Sequence, residues 1–185
     1  SRLPSIIKQQ IHTAEERYEK AKELLPELQG LFSLVPNKPK VRFFEGIEGI
    51  LAVYGEHIDV SGPYEMLSYS NVEELLKRLP KPFVLKYIAQ KVKRGITTRA
   101  IFPDSTFSKD YNKSLYRETS KQTHIRSKYI AAKDFPFQAD VTIFDRSKVS
   151  IINFSQNSLI GVVIEDETIA GIMRMGFELA WKGIN

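Results

Sequence analysis

Two carboxylates, Asp140 and Asp145, stand five residues apart in Phe135–Ser155, FPFQADVTIFDRSKVSIINFS. A pair of neighbouring carboxyl groups is the arrangement general acid–base catalysis uses when their environments drive the two pKa values apart. The residues around them separate their roles. Asp145 opens the polar triplet Asp145-Arg146-Ser147, where Asp is favoured because its side chain bonds its own backbone and tolerates left-handed geometry. Asp140 lies inside a run of β-forming residues, where an acid has no such local task. Asp145 therefore reads as a turn residue, and Asp140 as the acid that calls for another reason.

Other chemistry is sparse. The chain has no cysteine, which excludes disulfides, thiolate catalysis and zinc sites built on Cys. His12, His57 and His124 are scattered without metal-ligand spacing, so neither a metal nor a cofactor is expected. No G-x-S-x-G, G-x-x-x-x-G-K-[ST] or G-x-G-x-x-G motif occurs, which argues against a nucleophile elbow and a nucleotide-binding loop. Gly46-x-x-Gly49 only eases a strand-to-helix turn. His124 reads as a surface residue of a basic block, with a pH- or phosphate-sensitive role as the other reading.

The acids are positioned by two predicted strands, Asp140–Phe144 and Lys148–Phe154, joined by the Asp145–Ser147 turn. Upstream, strands are expected at Lys40–Phe44, Tyr64–Tyr69 and Ile96–Phe102, with short ones at His124–Arg126 and Tyr129–Ala132. Helices are expected at Gly46–Val53, from an Asn71/Glu74 capping box to Pro80, and at Pro82–Arg94 up to Gly95, with a polar one at Phe107–Lys121. Downstream, Leu159–Ile164 is apolar enough for a strand buried on both faces. Asp166 then caps a helix whose stripe of Ile169, Ile172, Met173, Gly176, Phe177, Ala180 and Trp181 reads as core packing. Strand–helix alternation over Lys40–Asp104 predicts parallel βα units, and the β-rich run Phe135–Ile164 an antiparallel part. Together they give an α/β sandwich with a mixed sheet.

Before Lys40 the pattern differs. Ile7, Ile11, Ala14, Tyr18, Ala21, Leu25, Leu28 and Phe32 recur at alternating spacings of four and three, a narrow a/d stripe suited to a partner helix. Pro26 should kink this helix. Residues 1–35 are expected to form a dimerising coiled-coil-like helix, with Ile7, Ile11, Ala14, Tyr18, Ala21 and Leu25 at the homodimer seam. Val35–Pro39 is the linker to a domain over 36–185. The chain opens mid-pattern on Ser-Arg, so a fragment of something longer is expected. No stretch approaches the ~20 apolar residues a membrane span needs, and a cytoplasmic protein without membrane partners is expected.

The net charge of +5 hides an asymmetry: Lys77–Lys133 carries fifteen Lys/Arg against three Asp/Glu, so the remainder is acidic. Such a block either attracts phosphates or forms solvated helix faces.

The order of segments resembles one repeat of the phospholipase D superfamily. The matching pieces are YEMLSYS, YIAQKVKRGITTRAIFP, FPFQADVTIFD with SIINFS, and GVVIED followed by the last helix. In that superfamily the hairpin carries His-x-Lys followed by Asp, the His attacking phosphorus and the Lys neutralising phosphate. Aligned on Asp145, Gln138 stands at the His position and Asp140 at the Lys position; aligned on Phe135–Gln138, Ala139 and Val141 do. Neither alignment retains a nucleophile or a cation, which implies a catalytically inactive domain.

A broader resemblance, over nearly the whole chain, is to TrmB-type transcriptional regulators. It rests on the amphipathic helix with LLPELQGLF, on KPKVRFFEGIEGI, and on the Phe177-x-x-x-Trp181 ending. It implies an effector-sensing, dimeric half of a regulator that reaches DNA only through a winged-helix domain not found in these residues. Effector-binding candidates are Gln138, Asp140, Asn153 and Ser155 on the hairpin and Ser68 and Ser70 on the strand before Asn71, with Arg42 and Arg99 for an anionic effector. The effector's identity stays open. So do two other classes, a divergent phosphodiesterase using His124 or another base from a partner subunit, and a pure dimerisation or docking module.

Overall fold

The computed structural model describes residues 11–13, 15, 17–20, 22, 38–119, 125–155 and 159–184. The chain divides into two compact units, 1–38 and 39–185. In the first, the described residues between 11 and 22 are helical, and Ile11 and Tyr18 of the expected seam are exposed. Ile7, Ala14, Ala21 and Leu25 lie outside the described residues, as do most of the expected linker and His124.

The second unit runs β1 (Lys40–Glu45), α1 (Gly46–Ile58), β2 (Glu65–Ser70), α2 (Val72–Arg78), α3 (Lys81–Lys93), β3 (Thr97–Asp104), α4 (Thr106–Thr119) and β4 (Ile125–Ala131). A 3₁₀ turn, Ala132–Asp134, then leads to β5 (Ala139–Phe144), β6 (Lys148–Asn153), β7 (Ile160–Glu165) and α5 (Glu167–Gly183). The strands form one seven-stranded sheet in the order β1-β7-β6-β5-β2-β3-β4. β2, β3 and β4 run parallel, and every other pairing is antiparallel. The expected mixed-sheet α/β sandwich is therefore the observed fold.

Strand neighbours correct one expectation. Lys40–Asp104 is not a series of parallel units, because β1 pairs antiparallel with β7 at the far edge, Lys40 opposite Glu165. Only β2–β3–β4 are joined by helical crossovers, as parallel strands require. Two element boundaries and one burial expectation also change. α1 runs to Ile58 rather than Val53, since nothing in AVYGEHI stops a helix. The two short strands around Ser127 are one strand, β4, paired along β3. β7 is not buried on both faces: Gly161 and Val163 are buried while their neighbours are partly exposed.

Local chemistry explains the junctions. Asp145 has φ 56°, the left-handed region, and its Oδ1 accepts from Arg146 N at 2.7 Å. Asp166 caps α5 by accepting from Ile169 N at 2.8 Å. At Gly161 α1 packs close on the sheet: a Cβ there would stand 3.0 Å from Val53 Cγ2 and 3.1 Å from Ile50 Cδ1.

Helices cover both faces. On one, Ile50 and Val53 of α1 and Ile88 of α3 pack against Phe102, Phe144 and Ile152. On the other, α5 lays Ala170 and Phe177 over Leu67, Ile101, Ile143 and Val149. The stripe on α5 is core packing for Met173, Phe177, Ala180 and Trp181, but Ile172 is exposed.

Candidate functional site

Alternation along β5 sends Asp140, Thr142 and Phe144 to the α1 face, and register aligns them with the inward residues of β2 and β6. Ser70 stands opposite Asp140, Ser68 opposite Thr142, and Thr142 opposite Ser150. A polar band thus runs beneath α1 and α3 inside an otherwise apolar layer.

Asp140 is 4% exposed. Its Oδ2 accepts from the Tyr54 hydroxyl of α1 at 2.8 Å and its Oδ1 from Asn71 N at 2.9 Å. The Ser70 hydroxyl also bonds to it. Burial pushes this carboxyl up to about 6, while the three hydrogen bonds pull the other way. Tyr54 is pushed well above its ordinary value by burial and then by Asp140. The expected capping box at Asn71 is accordingly half built. Asn71 Oδ1 accepts from Glu74 N at 3.3 Å, but the Asn71 N–H goes to Asp140 rather than to Glu74.

The rest of the band is tied to a histidine. His57, 1% exposed on α1, places Nε2 2.8 Å from the Ser150 hydroxyl and Nδ1 3.1 Å from the Tyr87 hydroxyl. Burial, with Lys91 beside it, lowers its pKa to about 3, so the imidazole is neutral. Lys91 is itself buried and donates to Thr98 Oγ1 at 2.6 Å, and Ser68 and Thr142 bond at 3.1 Å. Sequence reasoning set His57 aside for want of metal spacing and missed Tyr54, Tyr87 and Lys91. The available signal was helical phase: Tyr54 and His57 share a turn with Ile50 and Val53.

The hairpin candidates gather at one end of β5. Ala139 pairs with Asn153, Phe154 N donates to Gln138 O at 2.8 Å, and Asn153 Oδ1 accepts from Ser155 N at 2.9 Å. Gln138 and Asn153 are exposed and Ser155 is partly so, whereas Asp140, Ser68 and Ser70 are buried just below. The two arginines are elsewhere. Arg42, on β1, bonds Glu56 at 2.5 Å. Arg99, on the α5 face of β3, is held by Glu65 at 2.9 Å and by Glu178, and lies 5.5 Å from the ring centroids of both Phe177 and Trp181.

The basic block is dispersed too. Lys77 pairs with Glu73 and Glu74, Lys109 with Asp104, Arg126 with Glu65, and Lys128 bonds the carbonyls of Trp181 and Ile184. Among the described residues no group of three His, Asp or Glu is arranged to hold a metal ion, and no helix is long and apolar enough to cross a membrane.

What this arrangement can do chemically is restricted. Phosphodiester cleavage through a covalent intermediate needs a nucleophile, and neutralising phosphate needs a cation. The hairpin end offers an amide, Gln138, above a buried carboxyl. Those groups suit hydrogen-bonded recognition.

Comparison with solved structures fits this reading of the fold. TrmBL2, described as an archaeal chromatin protein with a novel mode of DNA binding, superposes with a TM-score of 0.54 at 16% identity, over 98% of this chain and 67% of that one. NucT from Helicobacter pylori superposes with a TM-score of 0.54 at 14% identity, over 80% of this chain and 98% of that one. No family model matches the sequence, and no curated protein matches it. The chain shares its α/β fold with these two proteins, and the resemblance to TrmB-type regulators read from the sequence is borne out at the level of that fold.

Proposed function

We propose that this chain is the dimerising, effector-sensing region of a TrmB-like transcriptional regulator and carries no phosphodiesterase activity. The observation that carries the reading is the seat of Asp140. Where the superfamily resemblance calls for a phosphate-neutralising lysine, a buried carboxyl is bound by Tyr54, Ser70 and Asn71 N. A carboxyl in that seat repels a phosphodiester and joins β2, β5 and α1 into one unit, so a ligand touching Gln138, Asn153 or Ser155 presses on a rigid base. Differential affinity for two arrangements of the domain would then shift the helix over 1–35 and the spacing of attached DNA-binding parts. The fold shared with TrmBL2 supports the regulator class, and the exposed Ile11 and Tyr18 suit a helical seam with a second copy.

A thermal-shift screen with sugars, sugar phosphates, nucleotides and inorganic anions tests the sensing reading. A ligand that binds only the folded state raises the melting temperature with its concentration. The expected result is a concentration-dependent rise that is lost in Gln138→Ala and Asn153→Ala. A rise untouched by both substitutions would remove the hairpin end as the sensing site. A dimer that persists when Ile11 and Tyr18 are both changed to Asp would remove the helix as the seam.

A further inference from the structure

The crossover from β4 to β5 passes the ends of β3 and β2, because β4 is an edge strand and β5 lies beyond β2. Its residues 134–137 roof a cavity of about 310 Å³ on the α5 side of the sheet. The floor is Tyr69, Val141 and Ala139, one wall is Ile130, and the roof is Asp134, Phe135 and Phe137. α5 covers the next row of the sheet, Leu67, Ile143 and Val149, and its Phe177 meets the Tyr69 ring edge to face at 5.3 Å, but no residue of α5 lines the cavity.

Four features say what the cavity takes. Its lining is aromatic: Phe135 and Phe137 meet edge to face at 6.2 Å, and Tyr69 adds a third ring. The single charged residue of the lining is an acid, Asp134, although the stretch Lys77–Lys133 just before it is strongly basic. Among the described residues, neither the Asp134 carboxylate nor the Tyr69 hydroxyl has a hydrogen-bond or ion-pair partner. Phe137 is 64% exposed, which is unusual for a ring whose own carbonyl is anchored by Asn71 Nδ2 at 2.8 Å.

We propose that this cavity binds a small organic cation, an amine or quaternary ammonium on a compact apolar body, with the body on Tyr69, Val141 and Ile130 and the charge between Asp134 and the ring of Phe137. Aromatic faces attract a cation through their quadrupole, and a carboxylate without an internal partner supplies the matching charge. The volume lies at the small end for ligand pockets, which favours a body the size of one ring. The proposal deepens the sensing reading and rests on it only for what binding does, since the cavity adjoins Gln138 from the other face of the sheet.

The test is a titration of the full 185-residue chain, ¹⁵N-labelled, with 2-phenylethylammonium, neutral 2-phenylethanol and anionic 3-phenylpropionate, followed by NMR. The expected result is saturable shifts confined to residues around 69, 130–141 and 152–155, with the cation about tenfold tighter than the anion. Asp134→Asn, an exposed change that leaves the core intact, should weaken the cation about fivefold and leave the alcohol unchanged. No saturable shift, shifts elsewhere, or equal affinity for all three compounds would overturn the proposal. Sedimentation of the same samples separates it from the sensing reading. Binding here without any change in self-association would keep the cavity and contradict its sensing role. Absence of binding would remove the cavity and leave sensing to ligands found in the thermal screen.

Discussion

Beneath α5 the sheet buries Leu67, Ile101, Ile143 and Val149, while beneath α1 and α3 the same strands bury Ser68, Ser70, Thr142, Ser150 and Asp140. Period-two alternation puts the buried polar residues of β2, β5 and β6 on the α1 side, among apolar neighbours such as Met66, Phe144 and Ile152. The α5 face is held by close packing, which is tolerant of detail and non-directional. The α1 face adds to its apolar packing a hydrogen-bond network, which fixes one arrangement and leaves unpaired groups when any member is lost. A ligand is felt more readily on the polar face. The polar network around Asp140 and His57 has directional links to break, whereas the apolar side can only be filled or left open.

Phe177→Ala should have the largest effect, since Phe177 is fully buried and carries the rings of Tyr69 and Trp181 and the Arg99 guanidinium. Denaturant unfolding should show a loss of about 3–5 kcal/mol. A loss below ~1 kcal/mol would mean α5 is not what closes that face.

Next in size are the effects of pH on the polar face, where two buried groups act in opposite directions. His57 drops from its ordinary 6.5 to about 3 on folding, so the stability it confers by staying neutral is present above 6.5 and lost as pH falls toward 3. Asp140 rises from 3.8 to about 6, so its contribution is fully present below 3.8 and lost as pH rises through 6. Between about pH 4 and 6 the two slopes oppose, and the wild-type stability curve should be comparatively flat there. Asp140→Asn should remove the opposition and steepen the acid-side loss by a few kcal/mol over that window. A His57→Gln variant should gain stability on acidification instead. If both variants kept the wild-type profile across pH 4–6, the two groups would not be buried together as described.

Asp140→Ala at pH 7 is expected to cost about 1–3 kcal/mol, because Tyr54, Ser70 and Asn71 N lose their acceptor even as a costly buried charge is removed. The smallest effect belongs to Arg42→Ala, which breaks a surface pair with Glu56 and should change stability by less than about 0.5 kcal/mol.

What could be read from the sequence was local. The hairpin and its turn were legible because Asp145-Arg146-Ser147 fixes the turn and the flanking residues alternate. The cap at Asp166 was legible for the same reason. Partners distant in sequence were not. β1 finds its neighbour 125 residues away, and no periodicity within Lys40–Glu45 encodes that choice. Arg99 looked available because its partner Glu178 lies 79 residues on. Asp140 stood out as an acid without a local reason, but its partner, Tyr54 on a helix 86 residues earlier, depends on which helix covers which face. His57 escaped because a neutral buried histidine leaves no spacing signature; only its phase on α1 gave it away.

The most direct measurement is the hydrolysis of bis(p-nitrophenyl) phosphate by the purified 185-residue chain, with and without added divalent cations. With an amide at position 138 and a buried carboxyl at 140, the rate should not exceed that of buffer, and Gln138→Ala should leave it unchanged. Turnover above buffer that vanishes in Gln138→Ala or Asp140→Asn would contradict the central claim and return the hairpin end to catalysis.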